Sequence, residues 1–165
     1  MHLDFAVSVM RSKGIVRELI HRFKYGRERQ LRRILAGWLC EAFADERLRD
    51  IGAIAFVPLH PARQRERQFN QAEALADAVA RAEGLRLVSP LRRVRYTITQ
   101  THFDRKQRMR NLRGAFALRQ NAGVKDKSLL LVDDVLTTGS TLDECARVLL
   151  EGGARRVCAI TVARG

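Results

Sequence analysis

Two adjacent carboxylates followed by a hydroxyl-rich turn make the most chemically loaded stretch of the chain, Leu129-Leu130-Leu131-Val132-Asp133-Asp134-Val135-Leu136-Thr137-Thr138-Gly139-Ser140-Thr141. The four apolar residues read as a buried strand, and the acids stand where it would emerge at its carboxyl edge, the place where open α/β sheets bind ligands. Gly139 permits a positive φ and close backbone approach. Thr137, Thr138, Ser140 and Thr141 add hydroxyl donors to the free N–H groups of a following helix, which suits a monophosphate. Acids beside a phosphate repel it, so Asp133 and Asp134 call for hydroxyl partners such as the 2′ and 3′ hydroxyls of a ribose. The combination reads as a ribose 5-phosphate site. A plainer alternative makes the acids strand-end turn formers and the Thr/Ser run an N-cap. No G-x-x-x-x-G-K-[ST], G-x-G-x-x-G, H-E-x-x-H or G-x-S-x-G pattern occurs.

The elements that must position this turn follow from periodicity. Phe5 to Met10 reads as a first strand. Ile15, Leu19 and Phe23, then Leu31 to Phe43, recur at helical spacing on either side of a break at Tyr25-Gly26. Ile51 to Leu59 is an apolar strand stopped by Pro58 and Pro61; a loop then leads to a helix through Ala72, Leu75, Ala76 and Val79 that Asn70 can cap. Leu85 to Val88 reads as a short buried strand, Leu142 to Leu149 as a helix ended by Gly152-Gly153, and Val157 to Ala163 as a last strand. Strands alternating with helices, several apolar throughout, imply an α/β fold with a mostly parallel central sheet flanked by helices. The Arg-rich piece from Leu91 to Arg119 stands outside this alternation and reads as a hairpin or flap.

With 165 residues and 46% hydrophobic content, the chain can bury a core as one domain, residues 1–165. The formal charge of +13 favours phosphate-bearing partners. It is concentrated: Arg11 to Arg33 holds nine Lys/Arg against two acids, and Leu91 to Arg113 eight against one. These are either solvated faces or two anion-facing surfaces. No apolar run is long enough to span a membrane, and the N-terminal strand lacks a basic leader. Cys40, Cys145 and Cys158 contain no C-x-x-C pair, so neither a disulfide framework nor a structural zinc site is indicated and a reducing cytoplasm is the expected location. Arg63, Arg65 and Arg67 lie just past a strand end, where they can meet a pyrophosphate bidentately. Arg92, Arg93, Arg95, Arg105, Lys106, Arg108 and Arg110 can close over an anion as a flap. Alternatively they hold nucleic acid, with Tyr96, Phe103 and Phe116 stacking bases.

At Leu129 to Thr141 the chain resembles the type I phosphoribosyltransferases, whose signature is four apolar residues, two acids and a T-T-G-[SA]-T turn. The resemblance implies that residues 137–141 hold the 5-phosphate of phosphoribosyl pyrophosphate (PRPP) and that Asp133 and Asp134 hold the ribose hydroxyls as catalytic residues. It further implies that Mg²⁺ arrives with the pyrophosphate, without direct ligation by the protein. Val57 to Arg63, running on through Arg67-Gln68-Phe69-Asn70, looks like the strand and pyrophosphate loop of the ComF-like (competence protein F) group, which assigns Leu59, His60, Arg63 and Arg67 to pyrophosphate. Leu91, Arg93, Arg95, Thr97 and Gln100, with Arg108, Asn111, Gly114, Ala115 and Phe116, match that group's hood, residues 91–119. The group commonly carries an N-terminal Cys-rich zinc module, which is lacking here, and Gln68 stands where the group's R-G-F-N has glycine. Two functions follow as expectations: transfer of phosphoribosyl to a nitrogen acceptor with release of pyrophosphate, or a DNA-uptake accessory that binds single-stranded DNA or DNA-processing and recombination partners. A salvage enzyme of the wider class is a weaker third. The acceptor, turnover itself and homo-oligomer formation stay open.

Overall fold

Short apolar runs bounded by Gly or Pro become strands, and runs with helical spacing become helices, in a computed structural model that describes residues 2–26, 28–97 and 110–165. In chain order these are β1 (Ala6–Arg11), α1 (Gly14–Tyr25), α2 (Arg32–Ala42), β2 (Ala53–Phe56), α3 (Pro61–Arg67), α4 (Gln71–Glu83), β3 (Leu91–Arg93), β4 (Phe116–Leu118), β5 (Ser128–Leu136), α5 (Ser140–Glu151) and β6 (Arg156–Arg164). The main sheet has the order β1-β6-β5-β2 and every pairing in it is parallel. All strands therefore end on the same edge, and β5 and β6 occupy its centre. Their residues Leu129 to Val132 and Val157 to Ala163 are buried, as expected of strands covered on both faces. The helices α2 and α4 pack against each other and over one face, while α5 packs on β6 and against β4. Right-handed crossovers put α5 on the opposite face, because the chain steps outward after β2 and back inward from β5 to β6.

Three expectations need correction. β5 does not stop at Val132 but continues through both acids to Leu136, with Asp133 in register with Thr161 and Val135 with Ala163. The neighbouring β6 extends equally far and supplies the hydrogen-bond partners that keep the strand going. The stretch after Pro58 is not an irregular loop, since Pro61 opens the seven-residue helix α3. Proline's fixed φ suits a first helical position, and His60 caps the helix as its Nδ1 accepts from the Ala62 N–H at 3.2 Å. Leu85 to Val88 forms only a single bridge, Leu87 beside Ile54, at the sheet edge. Its residues are half-buried or exposed, so nothing pulls a full strand into place.

β3 and β4 pair antiparallel as the expected hairpin beside the sheet. It is held to α5 by the Gly114 N–H donating to Glu144 Oε1 at 2.8 Å. The connection from β2 to α4 is fixed by Asn70, which is buried: its Oδ1 accepts from the N–H groups of Ala72 and Glu73 at 3.0 and 3.5 Å, and its Nδ2 donates to the Val57 carbonyl at 3.1 Å. Asn70→Ala leaves these groups unsatisfied in a dry setting and is expected to cost about 1–3 kcal/mol. Urea unfolding at neutral pH measures it, and a loss below about 0.5 kcal/mol would show that the cap does not fix this connection.

Candidate functional site

A cleft of about 660 Å³ opens over the carboxyl ends of β2 and β5. Its floor is Asp133 and Asp134 with Thr137, Thr138 and Thr141 from the turn into α5. One wall is Leu59, Arg63 and Arg67 from the β2–α3 connection and α3; another is Arg93, Tyr96 and Thr97 from the hairpin; the third is Lys24 and Tyr25 at the end of α1.

The turn is shaped as an anion seat. Gly139, at φ +77°, occupies the N-cap position of α5 and brings no side chain there, while the Ser140 N–H donates to Thr138 Oγ1 at 3.5 Å. Thr138 Oγ1 and Ser140 Oγ share a hydrogen bond of 2.9 Å, which fixes the Thr138 hydroxyl at the rim. The first-turn acid of α5, Asp143, is drawn off by the N–H groups of His2 and Leu3 at 2.5 and 3.2 Å and does not compete for the seat.

Asp133 and Asp134 are neighbours in an extended strand, where successive side chains leave on opposite faces, so their environments differ. Asp133 Oδ1 accepts from the Asp134 N–H and Asp134 Oδ1 from the Val135 N–H, both at 2.9 Å. Burial pushes the Asp133 carboxyl up to about 6, against the opposing pull of Lys24, Arg93 and Arg67. Asp134 Oδ2 instead faces the Lys24 ammonium at 2.5 Å.

The arginines come from two separate elements, α3 and β3, and hydrogen bonds to neutral groups help to place them. Arg63 donates to the Thr97 carbonyl at 3.0 Å and lies over the Tyr96 ring; Arg93 donates to the Thr97 hydroxyl and lies over Phe116. Burial lowers the Arg93 guanidinium from its ordinary value, and Arg63 adds to the effect. Arg67 donates to Gln71 Oε1 at 3.1 Å and to the Tyr25 hydroxyl at 2.9 Å. These bonds fix where the guanidiniums point along the cleft wall.

Of the residues singled out from the sequence, the cleft gathers Asp133, Asp134, Thr137, Thr138, Thr141, Leu59, Arg63, Arg67 and Arg93. Gly139 and Ser140 shape the turn beneath it. His60 caps α3 and packs edge-on against Tyr96, at 5.2 Å between ring centres. Arg95 donates to the carbonyls of Asn111 and Arg113, bracing the hairpin. Gln100 and Arg108, like Phe103, Arg105 and Lys106, lie outside the described residues. Gln68 takes φ +65°, the left-handed conformation that glycine adopts freely, at a cost of about 1–2 kcal/mol. Lys24 and Tyr25 were legible only as a helix end; no local signal tied them to acids more than a hundred residues away.

A model of the phosphoribosyl transferase domain family matches residues 70–165. The chain is 37% identical over 145 residues to the DNA utilization protein YhgH of Salmonella typhi, and 36% identical over 145 residues to competence protein F of Haemophilus influenzae. Each match covers 84% of this chain and 63% of the relative, so the chain spans less than two thirds of the length of these curated relatives. Among solved structures, the adenine phosphoribosyltransferase of Thermoanaerobacter pseudethanolicus shares the fold, with a TM-score of 0.51 and 13% identity over 86% of this chain and 84% of that one.

The raised Asp133 carboxyl sets a pH dependence. The folded protein keeps that proton up to about pH 6, whereas the ordinary value is 3.8, so stability falls as pH rises between those values. Asp133→Asn is expected to flatten the fall and to gain as much as about 3 kcal/mol at pH 7, two units at 1.36 kcal/mol each. Urea unfolding from pH 4 to pH 8 checks it; parallel curves for the two proteins would refute the buried-acid account.

Proposed function

The chain belongs to the phosphoribosyl transferase domain family and is a homologue of the competence protein F proteins, and from that premise we propose that its cleft binds PRPP and transfers the phosphoribosyl group to a nitrogen acceptor, releasing pyrophosphate. The observation that carries this reading is the convergence of a helix N-terminus with glycine at its N-cap, two strand-end carboxylates and a wall of arginines on one cleft. The turn at 137–141 takes the 5-phosphate, Asp133 and Asp134 accept from the ribose hydroxyls, and Arg63 and Arg67 face the pyrophosphate.

The chemistry asks the protein for positioning and charge. As the C1–O bond loosens toward an oxocarbenium-like state, negative charge grows on the leaving oxygens, and the arginines lining the cleft would stabilise it. The carboxylates hold the sugar while positive charge develops on its ring. The floor acids Asp133 and Asp134 and the arginine wall suit a Mg²⁺ ion that arrives on substrate phosphates, because Mg²⁺ keeps most of its shell from phosphate and water oxygens. When bound, that ion would neutralise the leaving group. Calorimetric titration with Mg²⁺-PRPP should give binding that the double change Asp133→Asn, Asp134→Asn weakens at least about 100-fold, the worth of two charge-assisted hydrogen bonds. Unchanged affinity in the double variant would remove the acids from the site.

A second reading, single-stranded DNA binding, is favoured by a different surface. Along α1 and α2, the exposed Lys13, Arg17, Arg32 and Arg33 interleave with Ile15 and Ile34, which are 63% and 49% exposed. Tyr25 and Tyr96, 57% and 48% exposed, stand at the cleft rim, and such rings stack bases. The DNA utilization and competence names of the relatives agree with this reading. Binding of a fluorescent oligothymidylate should then fall steeply with salt, and Arg17→Glu with Arg33→Glu should flatten that slope by about two. Affinity indifferent to salt would exclude the backbone contacts this reading requires.

A further inference from the structure

The cleft's own lysine occupies the place that a sugar hydroxyl would take. Of the four oxygens of Asp133 and Asp134, the two Oδ1 atoms accept from backbone N–H groups. Asp134 Oδ2 is shielded from solvent and lies 2.5 Å from Lys24 Nζ, in a contact that lacks hydrogen-bond alignment. Vicinal hydroxyls need two acceptors, and with the ammonium in place one of the two outward oxygens is covered. We propose that Lys24 is a displaceable internal counter-ion that guards Asp134, so that a phosphorylated pentose with a free vicinal diol must push it aside to bind. This rests on the reading of the cleft as a ribose 5-phosphate site.

The surroundings favour displacement. Lys24 is the penultimate residue of α1, with its side chain 23% exposed, so it can swing outward without unravelling the helix. The charged groups that bear on it are Asp133 and Asp134 on the floor and Arg67 on α3, and Arg67 repels it. Burial further lowers the ammonium from its ordinary value, so the ion pair recovers only part of what desolvation costs. A released ammonium remains beside Arg67, on the side of the cleft assigned to the pyrophosphate. Ligand selection is thereby coupled to the diol: a sugar phosphate without one leaves Lys24 on Asp134 and gains nothing from that carboxylate.

The test compares ribose 5-phosphate with 2,3-dideoxyribose 5-phosphate by calorimetry on the full chain. Lys24→Met should raise the affinity ratio roughly tenfold, about one hydrogen bond to a charged acceptor, because the diol no longer competes with an ammonium. Lys24→Arg, which keeps a cation over Asp134, should hold the ratio within about threefold of wild type. A ratio that is unchanged or smaller in Lys24→Met would overturn the proposal, a smaller one meaning that the lysine holds Asp134 in position for the sugar. Should Lys24→Met fail to fold by circular dichroism, Lys24→Gln answers the same question with a neutral amide. A wild-type protein that binds neither sugar phosphate sinks the reading of the cleft itself; binding with an unmoved ratio sinks only the role of Lys24.

Discussion

Everything in the cleft depends on two carboxylates being carried to its floor by a strand that is otherwise apolar and buried. Leu129 to Val132 are fully buried between helices, and the ladder with β6 runs without a break past the acids. Hydrophobic burial thus sets the depth of Asp133 and Asp134 to within a residue. The electrostatic consequences follow: one acid is pushed toward neutrality by burial, and the other draws a lysine from across the molecule. Two charged groups at such a depth have a steep desolvation cost, and the surrounding cations offset it.

Those cations are instructive because they arrive by different routes, from α1, α3 and β3. Thr97 alone receives Arg63 through its carbonyl and Arg93 through its hydroxyl, holding two like charges near each other where repulsion would part them. Arg67 is pinned by Tyr25 and Gln71, and the Gln71 amide reaches on to the Lys24 carbonyl at 3.4 Å, which ties α3, α4 and α1 together beside the acids. Fixed in this way, the cationic side chains stand beside the acids in set directions rather than as free surface charges.

Much of this was readable from local pattern. The alternation of strands and helices, the Asn70 cap, the hairpin and the positive φ of Gly139 each depend on a few consecutive residues, and each stands as expected. The misread stretches are those where neighbours decide. β5 outran its apolar run because β6 continued beside it; Pro61 to Arg67 became a helix because a proline and a capping histidine met at its start; Leu85 to Val88 stayed a lone bridge for want of covering side chains. At the site, the acids and the turn were legible because they are contiguous. His60 and Arg95 were grouped with them through the family resemblance; in the fold one caps a helix and the other braces a hairpin, contacts that no local pattern announced.

By itself, then, the sequence determined the α/β class, the strand that carries the acids and the glycine that opens the turn, since periodicity and backbone freedom are properties of short segments. Tertiary structure decided which few of the twenty-seven exposed or half-buried cationic side chains among the described residues face the acids, and it alone brought Lys24 to Asp134, 110 positions along the chain.

 Contacts between distant segments depend on how strands order and helices cross, and those are set by the packing of the whole core rather than by any stretch of residues within it.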